Sequence, residues 1–174
     1  MFELLGAQEI DWDAAEVFQV DERIAPDGDP DRNLTWMLEY LPPAAVNRLR
    51  RMPVTDDDLD AAATRYEASL PDALDLVHLG IGPDGHTASL VPGDPVLEVS
   101  DRRVALTGAE YQGRRRMTLT YLGLATARRI FWLVDSEGKE EALDKLLTRD
   151  PSIPAGRVEA ANALVVSDRS PPPS

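Results

Sequence analysis

The stretch Leu74-Asp75-Leu76-Val77-His78-Leu79-Gly80-Ile81-Gly82-Pro83-Asp84-Gly85-His86-Thr87-Ala88-Ser89-Leu90 decides how the chain reads. Residues 74–79 form a mainly apolar run of strand length, and the run passes without a break into a glycine-rich loop. Strands of this kind belong to open parallel sheets, where ligands sit beyond the carboxyl ends of the strands. Gly80, Gly82 and Gly85 let the loop backbone approach a ligand closely, and Pro83 stiffens it. His86 is then presented on a tight support. An imidazole held this way suits a general base, because its ordinary pKa of ~6.5 lies close to neutral pH. A plain glycine-rich turn that precedes a histidine is the competing reading of the same residues.

The flanking sequence alternates strands and helices. Val17-Phe18-Gln19-Val20 is a short β-type run ending in the charged triplet Asp21-Glu22-Arg23, and Pro26 to Pro30 form a turn-rich loop. Leu34, Met37, Leu38 and Leu41 recur at helical spacing, with Asp31 or Asn33 placed to cap them and Pro42-Pro43 to stop them. A second helix is expected from Thr55, with acids at 56–58 favouring its N-terminal dipole and Leu59, Ala62, Tyr66 and Leu70 on one face. Strands are expected over 103–107, 117–120, 130–134 and 163–166, and helices after Thr120 through Ala127 and from Glu137 to Leu147. Ile130 to Val134 reads as the most buried strand, an apolar run bounded by charge. The order implies an α/β fold with a mostly parallel sheet flanked by helices. One domain over residues 1–169 is expected, followed by a tail, Ser170-Pro171-Pro172-Pro173-Ser174, that can join neither sheet nor helix.

Composition narrows the function. The chain has 174 residues and a net charge of −13, which repels nucleic acid and anionic membranes, since both require a basic footprint. The longest apolar runs are far too short to span a bilayer, and Met1-Phe2-Glu3-Leu4-Leu5 shows no signal-peptide pattern, so a cytoplasmic protein is expected. With no cysteine, disulfides and thiolate chemistry drop out. Arg102, Arg103, Arg114, Arg115, Arg116, Arg128 and Arg129 crowd one stretch. They read either as a solvated face or as a local positive field for an anionic substrate.

Other chemistries lack their residues. No Gly-x-Ser-x-Gly elbow is present, and Asp84 with His86 alone makes a poor metal site. Of the two histidines, His78 lies inside an apolar strand and reads as a hydrogen-bonded structural residue. His86 is the one suited to chemistry.

The segment Gly80 to Leu90, followed by Val91-Pro92-Gly93, closely resembles the signature loop of the 6-phosphogluconolactonases. Asp21-Glu22-Arg23 with Pro26, Asp29 and Asn33 is similar to that family's second motif, and Arg116-Met117-Thr118-Leu119-Thr120 to its third. Gly138-Lys139 with Ala142-Leu143, and Ile153-Pro154-Ala155 to Asp168, resemble the later ones, in family order. The resemblance implies a Rossmann-like fold shared with glucosamine-6-phosphate deaminases and ribose-5-phosphate isomerases. It implies hydrolysis of 6-phosphoglucono-δ-lactone in the oxidative pentose phosphate pathway, with no metal or organic cofactor and a sugar-phosphate lactone as the binding partner. His86 would be the base. Asp21 would orient His86 or the substrate hydroxyls, with a strand-end cap as its other reading. Arg23 and Lys139, one of two lysines in the chain, match phosphate-holding positions; Arg116 is a further candidate, and Gly82, Asp84 and Gly85 would line the substrate.

Family members usually begin with a strand and a Gly-Gly-Ser-Thr-Pro-like phosphate loop that has no counterpart in this sequence. An N-terminally truncated fold is therefore expected, lacking one strand and an amide nest. A non-catalytic sugar-phosphate-binding remnant, or an amino-sugar phosphate isomerase or deaminase, are the alternatives. The latter typically continue with Ala-Phe-Asn-Glu-Pro and carry Asp-Glu-Tyr at the earlier motif, whereas here Ala88-Ser89-Leu90-Val91-Pro92 and Arg23 stand there. A monomer or weak dimer is expected.

Overall fold

The computed structural model describes residues 8–159 and 161–169, so the expected tail at 170–174 lies outside the described residues. In chain order the strands are β1 (Val17–Phe18), β2 (Asp21–Arg23), β3 (Leu49–Arg50), β4 (Val77–Leu79), β5 (Val104–Leu106), β6 (Arg116–Leu119), β7 (Ile130–Val134) and β8 (Ala163–Ser167). The helices are α1 (Asn33–Tyr40), α2 (Pro43–Asn47), α3 (Leu59–Ser69), α4 (Tyr121–Leu124) and α5 (Glu140–Leu147).

Strands β4, β7 and β8 form a parallel sheet with β7 in the middle, and β1 pairs in parallel with β3. The third sheet, β2–β6–β5, is antiparallel throughout. The architecture is thus mixed α/β. The antiparallel sheet was not legible in the alternation of elements, because β2 consists of the charged triplet that the apolar pattern marks as a strand's end.

The parallel sheet has two unequal faces. Val77, Leu79, Ile130, Trp132 and Val134 are buried on one side, whereas Leu133, Leu164 and Val166 on the other remain more than a third exposed. Ile130 to Val134 is therefore buried on alternate residues rather than throughout. The buried side meets Leu124, Met117, Leu119 and the α5 residues Ala142, Leu143 and Leu146 in the main core. Each fully buried leucine there contributes roughly 1.5–3 kcal/mol of transfer free energy. A second cluster, Leu34, Met37, Leu41, Ala45 and Leu49, lies beneath α1 and α2.

Helix boundaries follow their caps. α3 begins at Leu59, not Thr55, because the Asp58 carboxylate accepts the Ala61 N–H at 2.9 Å and the preceding acids stay outside the helix. Pro43 opens α2 instead of only ending α1, since its missing N–H does no harm in a first turn. α4 is a single turn capped by the Thr120 hydroxyl, much shorter than the helix expected through Ala127.

α1 has the least expected cap. Neither Asp31 nor Asn33 serves; Arg32 occupies the cap position, and its side chain makes no capping bond. The fully buried Glu22 carboxylate of β2 instead accepts the N–H groups of Asn33 and Leu34, each at 2.8 Å. It also accepts the amide of Gln19 at 2.9 Å and the Arg23 N–H at 2.8 Å, with the buried Arg32 guanidinium at 3.5 Å. One carboxylate thus ties a strand to a helix start, where the helix dipole favours negative charge. Glu22→Ala leaves those donors buried without a partner and takes from the buried Arg32 guanidinium one of its two carboxylates, the other being Asp27. Urea unfolding should show a loss of about 3–5 kcal/mol, with Glu22→Gln losing less.

Candidate active site

The loop after β4 is built to hold His86. The Gly82 N–H donates to the His86 carbonyl at 2.9 Å, and the Gly85 N–H to the Gly82 carbonyl at 3.0 Å. The Thr87 hydroxyl reaches back to the Gly80 carbonyl at 2.8 Å. Gly85 adopts φ +81°, and a β-carbon on it would meet Ile153 at 2.5 Å. The imidazole lies directly on Gly82, where a β-carbon would come within 2.1 Å of the ring atoms Nδ1 and Cε1. No other residue leaves the ring room there.

Asp84 holds the ring. Its Oδ1 stands 2.6 Å from His86 Nδ1 and also accepts the His86 N–H at 3.1 Å. Facing a carboxylate so closely, Nδ1 carries the proton in neutral His86, and Nε2 is left with its lone pair. Burial acts most strongly on Asp84 and pushes its pKa up, but the bonds from His86 and Tyr111 together outweigh it and hold the carboxyl below its usual range. Because the pKa is depressed in the fold, the associated stability is present above the ordinary carboxylate range. It is lost as pH falls through the depressed value.

The expected site residues separate into two groups. Asp84, placed by sequence among the substrate contacts, is the carboxylate bonded to His86, whereas Asp21 is not. Asp21 accepts the Ser89 hydroxyl at 2.7 Å and the Asn33 side-chain amide at 2.9 Å. Arg23 donates to Asn33 Oδ1 and to the Asp31 carbonyl. Arg116, only 3% exposed, donates to Gln112 Oε1 at 3.1 Å and the Tyr111 carbonyl at 3.3 Å, and lies 3.5 Å from the Ser89 hydroxyl. Its Nε is buried without a partner among the described residues. Lys139 sits at the start of α5, half-buried, and no bond of its ammonium ties it to the His86 group.

Register explains the charge at this site. Arg23 on β2 and Arg116 on β6 are directly opposed cross-strand partners. Like charges in that position repel. Burial, and then the charge of Arg23, pushes the pKa of Arg116 down. Neither arginine has an ion-pair partner among the described residues, in contrast to Arg114, which pairs with Asp29 and Asp31, Arg103, which pairs with Glu67, Arg102 with Asp101, and Arg128 with Asp75. The crowded arginines thus disperse. Most are neutralised singly, and Arg116 alone of the crowd turns into the site.

Tyr111 escaped the sequence reading. Its hydroxyl donates to Asp84 Oδ2 at 3.1 Å and lies 3.3 Å from His86 Nδ1. The available signal was the turn Tyr111-Gln112-Gly113-Arg114 between two extended runs, with φ +54° at Gln112 and +78° at Gly113. His78 also differs from expectation. Its ring lies against Phe131 and its Nε2 is buried with no hydrogen-bond partner among the described residues, and burial pushes its pKa down. Among the described residues, no group of three or more His, Asp or Glu side chains is placed to hold a metal ion.

Fold and site together define a mixed α/β protein with a carboxylate-paired histidine at a parallel strand's end and two opposed arginines nearby. Residues 1–166 match the family model described as glucosamine-6-phosphate isomerases/6-phosphogluconolactonase, and the chain belongs to this family. The 6-phosphogluconolactonase of Mycobacterium tuberculosis is 35% identical over 94% of this chain and 74% of its own length. That of Synechocystis is 32% identical over 95% and 75%. The crystal structure of 6-phosphogluconolactonase from Thermotoga maritima superposes with a TM-score of 0.84 at 28% identity, covering 95% of this chain and 78% of its own. A monomeric glucosamine-6-phosphate deaminase shares the fold, at a TM-score of 0.75 and 23% identity over 88% of this chain and 72% of its own.

Two outcomes check this geometry. Long-range proton–nitrogen NMR of neutral His86 should show the proton on Nδ1, and a dominant Nε2–H signal would contradict the Asp84 pairing. Gly82→Ala should displace the ring and abolish that signature, because its β-carbon occupies the imidazole's position.

Proposed function

We propose that this chain hydrolyses 6-phospho-D-glucono-1,5-lactone to 6-phosphogluconate, with His86 as the general base, as a cytoplasmic enzyme of the oxidative pentose phosphate pathway. The observation that carries the reading is the 2.6 Å contact between Asp84 and His86 Nδ1, which leaves Nε2 as the proton acceptor. Water attacks the lactone carbonyl carbon as Nε2 takes one of its protons, giving a tetrahedral oxyanion. The intermediate collapses with cleavage of the bond to the ring oxygen, and the imidazolium returns the proton to that oxygen. The product carboxyl then ionises to solvent.

Phosphate recognition falls to Arg23 and Lys139, with Arg116 alongside. A bound phosphate would offset the repulsion between the two opposed arginines, and guanidinium forks suit its oxygens. Asp21, held by Ser89 and Asn33, takes the substrate hydroxyls in this reading. Gly82 and Gly85, whose missing β-carbons make room for the His86 ring and for Ile153, shape the loop that lines the substrate. No helix among the described residues is long and apolar enough to cross a membrane. Curated relatives at 30% identity or more are named as lactonases, which favours this chemistry over amino-sugar phosphate deamination.

A dehydrogenase-coupled assay, with spontaneous lactone hydrolysis subtracted, tests the reading. His86→Ala should lower kcat by about 10²–10⁴-fold. Turnover equal to the unmodified chain would remove His86 from the mechanism. Lys139→Ala should raise KM about tenfold or more with little change in kcat, because a charge-assisted contact present throughout the reaction is lost.

A further inference from the structure

We propose that Tyr111 is a positioning residue for this hydrolysis: its hydroxyl fixes the Asp84 carboxylate so that His86 keeps its proton on Nδ1 and turns Nε2 to the substrate. The inference rests on the reading of His86 as base and assigns a role to a residue on a different segment of the chain.

The proton inventory supports it. Asp84 has two oxygens, and each is engaged from a different segment: Oδ1 by His86 at 2.6 Å, Oδ2 by the Tyr111 hydroxyl at 3.1 Å. A carboxylate held at one oxygen can still swing about its side-chain bond. Held at both, it cannot. The Tyr111 hydroxyl has one proton to give, and it stands 3.3 Å from His86 Nδ1 as well. Only one arrangement satisfies all three groups, with Nδ1–H donating to Oδ1 and the phenol donating to Oδ2. The opposite tautomer would set the Nδ1 lone pair against a carboxylate oxygen.

Tyr111 is itself held firmly enough to do this. Its backbone bridges Arg114 across a two-residue turn whose central residues both have positive φ, the geometry that matches strand twist in a tight hairpin. Asp94 pins the entry to this segment by accepting the N–H groups of Gly108 and Ala109 at 2.9 and 3.0 Å. The ring meets the imidazole edge-on with centroids 5.1 Å apart, and the Arg116 guanidinium lies over it at 5.1 Å. Tyr111 therefore lies between the cationic side of the site and its base.

Few groups affect the imidazole from its surroundings. Asp84 faces it from its own loop and Tyr111 from the hairpin, with Arg116 of β6 behind the phenol. The segment packed on Gly85 brings Ile153 and Ala155, which do not titrate. Removing the phenol proton donor leaves Asp84 with more charge for the imidazolium and with freedom to rotate.

Tyr111→Phe in the full chain isolates the hydroxyl, since the ring beneath Arg116 is kept. Its kcat should fall by about five- to twentyfold with KM within about twofold. The NMR spectrum of neutral His86 should show a new Nε2–H population. An unchanged kcat with an unchanged tautomer would overturn the proposal. A loss confined to KM would overturn it too, because Tyr111 would then be a substrate contact. If His86→Ala is inactive while Tyr111→Phe matches the unmodified chain, only this inference fails. If His86→Ala turns over normally, the base assignment fails, and the role of Tyr111 in this hydrolysis fails with it.

Discussion

The buried carboxylate of Glu22 is the constraint on which the cationic half of the site depends. It joins β2 to the start of α1 by accepting donors from both. A strand alternates its side chains, so turning Glu22 into the helix start turns Asp21 and Arg23 the opposite way. Antiparallel pairing with β6 then sets Arg116 directly across from Arg23 and Thr118 across from Asp21. The repulsion this creates is tolerated because buried contacts fix the two strands. It is a local cost of the kind that functional sites retain.

His86 comes from a different sheet. Parallel pairing of β4 with β7 directs the chain into the glycine loop, and Gly82 gives the imidazole its resting surface. Ser89 joins the halves: its hydroxyl donates to Asp21 of β2, and its N–H donates to the Thr118 hydroxyl of β6. The two opposed arginines sit on the antiparallel strands and the carboxylate-paired imidazole at the parallel strand's end, and the fully buried Ser89 and Thr87 keep the loop from drifting between them.

The chain spans about three quarters of the length of the curated relatives it matches first, at 74% and 75%. The open face of the parallel sheet is a separate matter. Leu133, Leu164 and Val166 there are exposed although parallel sheets ordinarily have both faces covered.

Sequence alone determined the features that arise from neighbours along the chain. The apolar run into Gly80, the helical spacing of Leu34, Met37 and Leu41, and the presentation of His86 were all legible, because helices, strands and turns follow from short-range sterics and periodicity. Tertiary structure decided which groups meet across the fold. Nothing near Asp84 or Asp21 in sequence tells which of them takes His86; the loop's own turn settles it for Asp84 and leaves Asp21 to Ser89. Glu22 as a helix cap, Arg23 opposite Arg116, and Tyr111 on Asp84 all depend on strand register and on loops folding back. Those are contacts between residues far apart in the chain, and only sheet pairing and packing bring them within bonding distance.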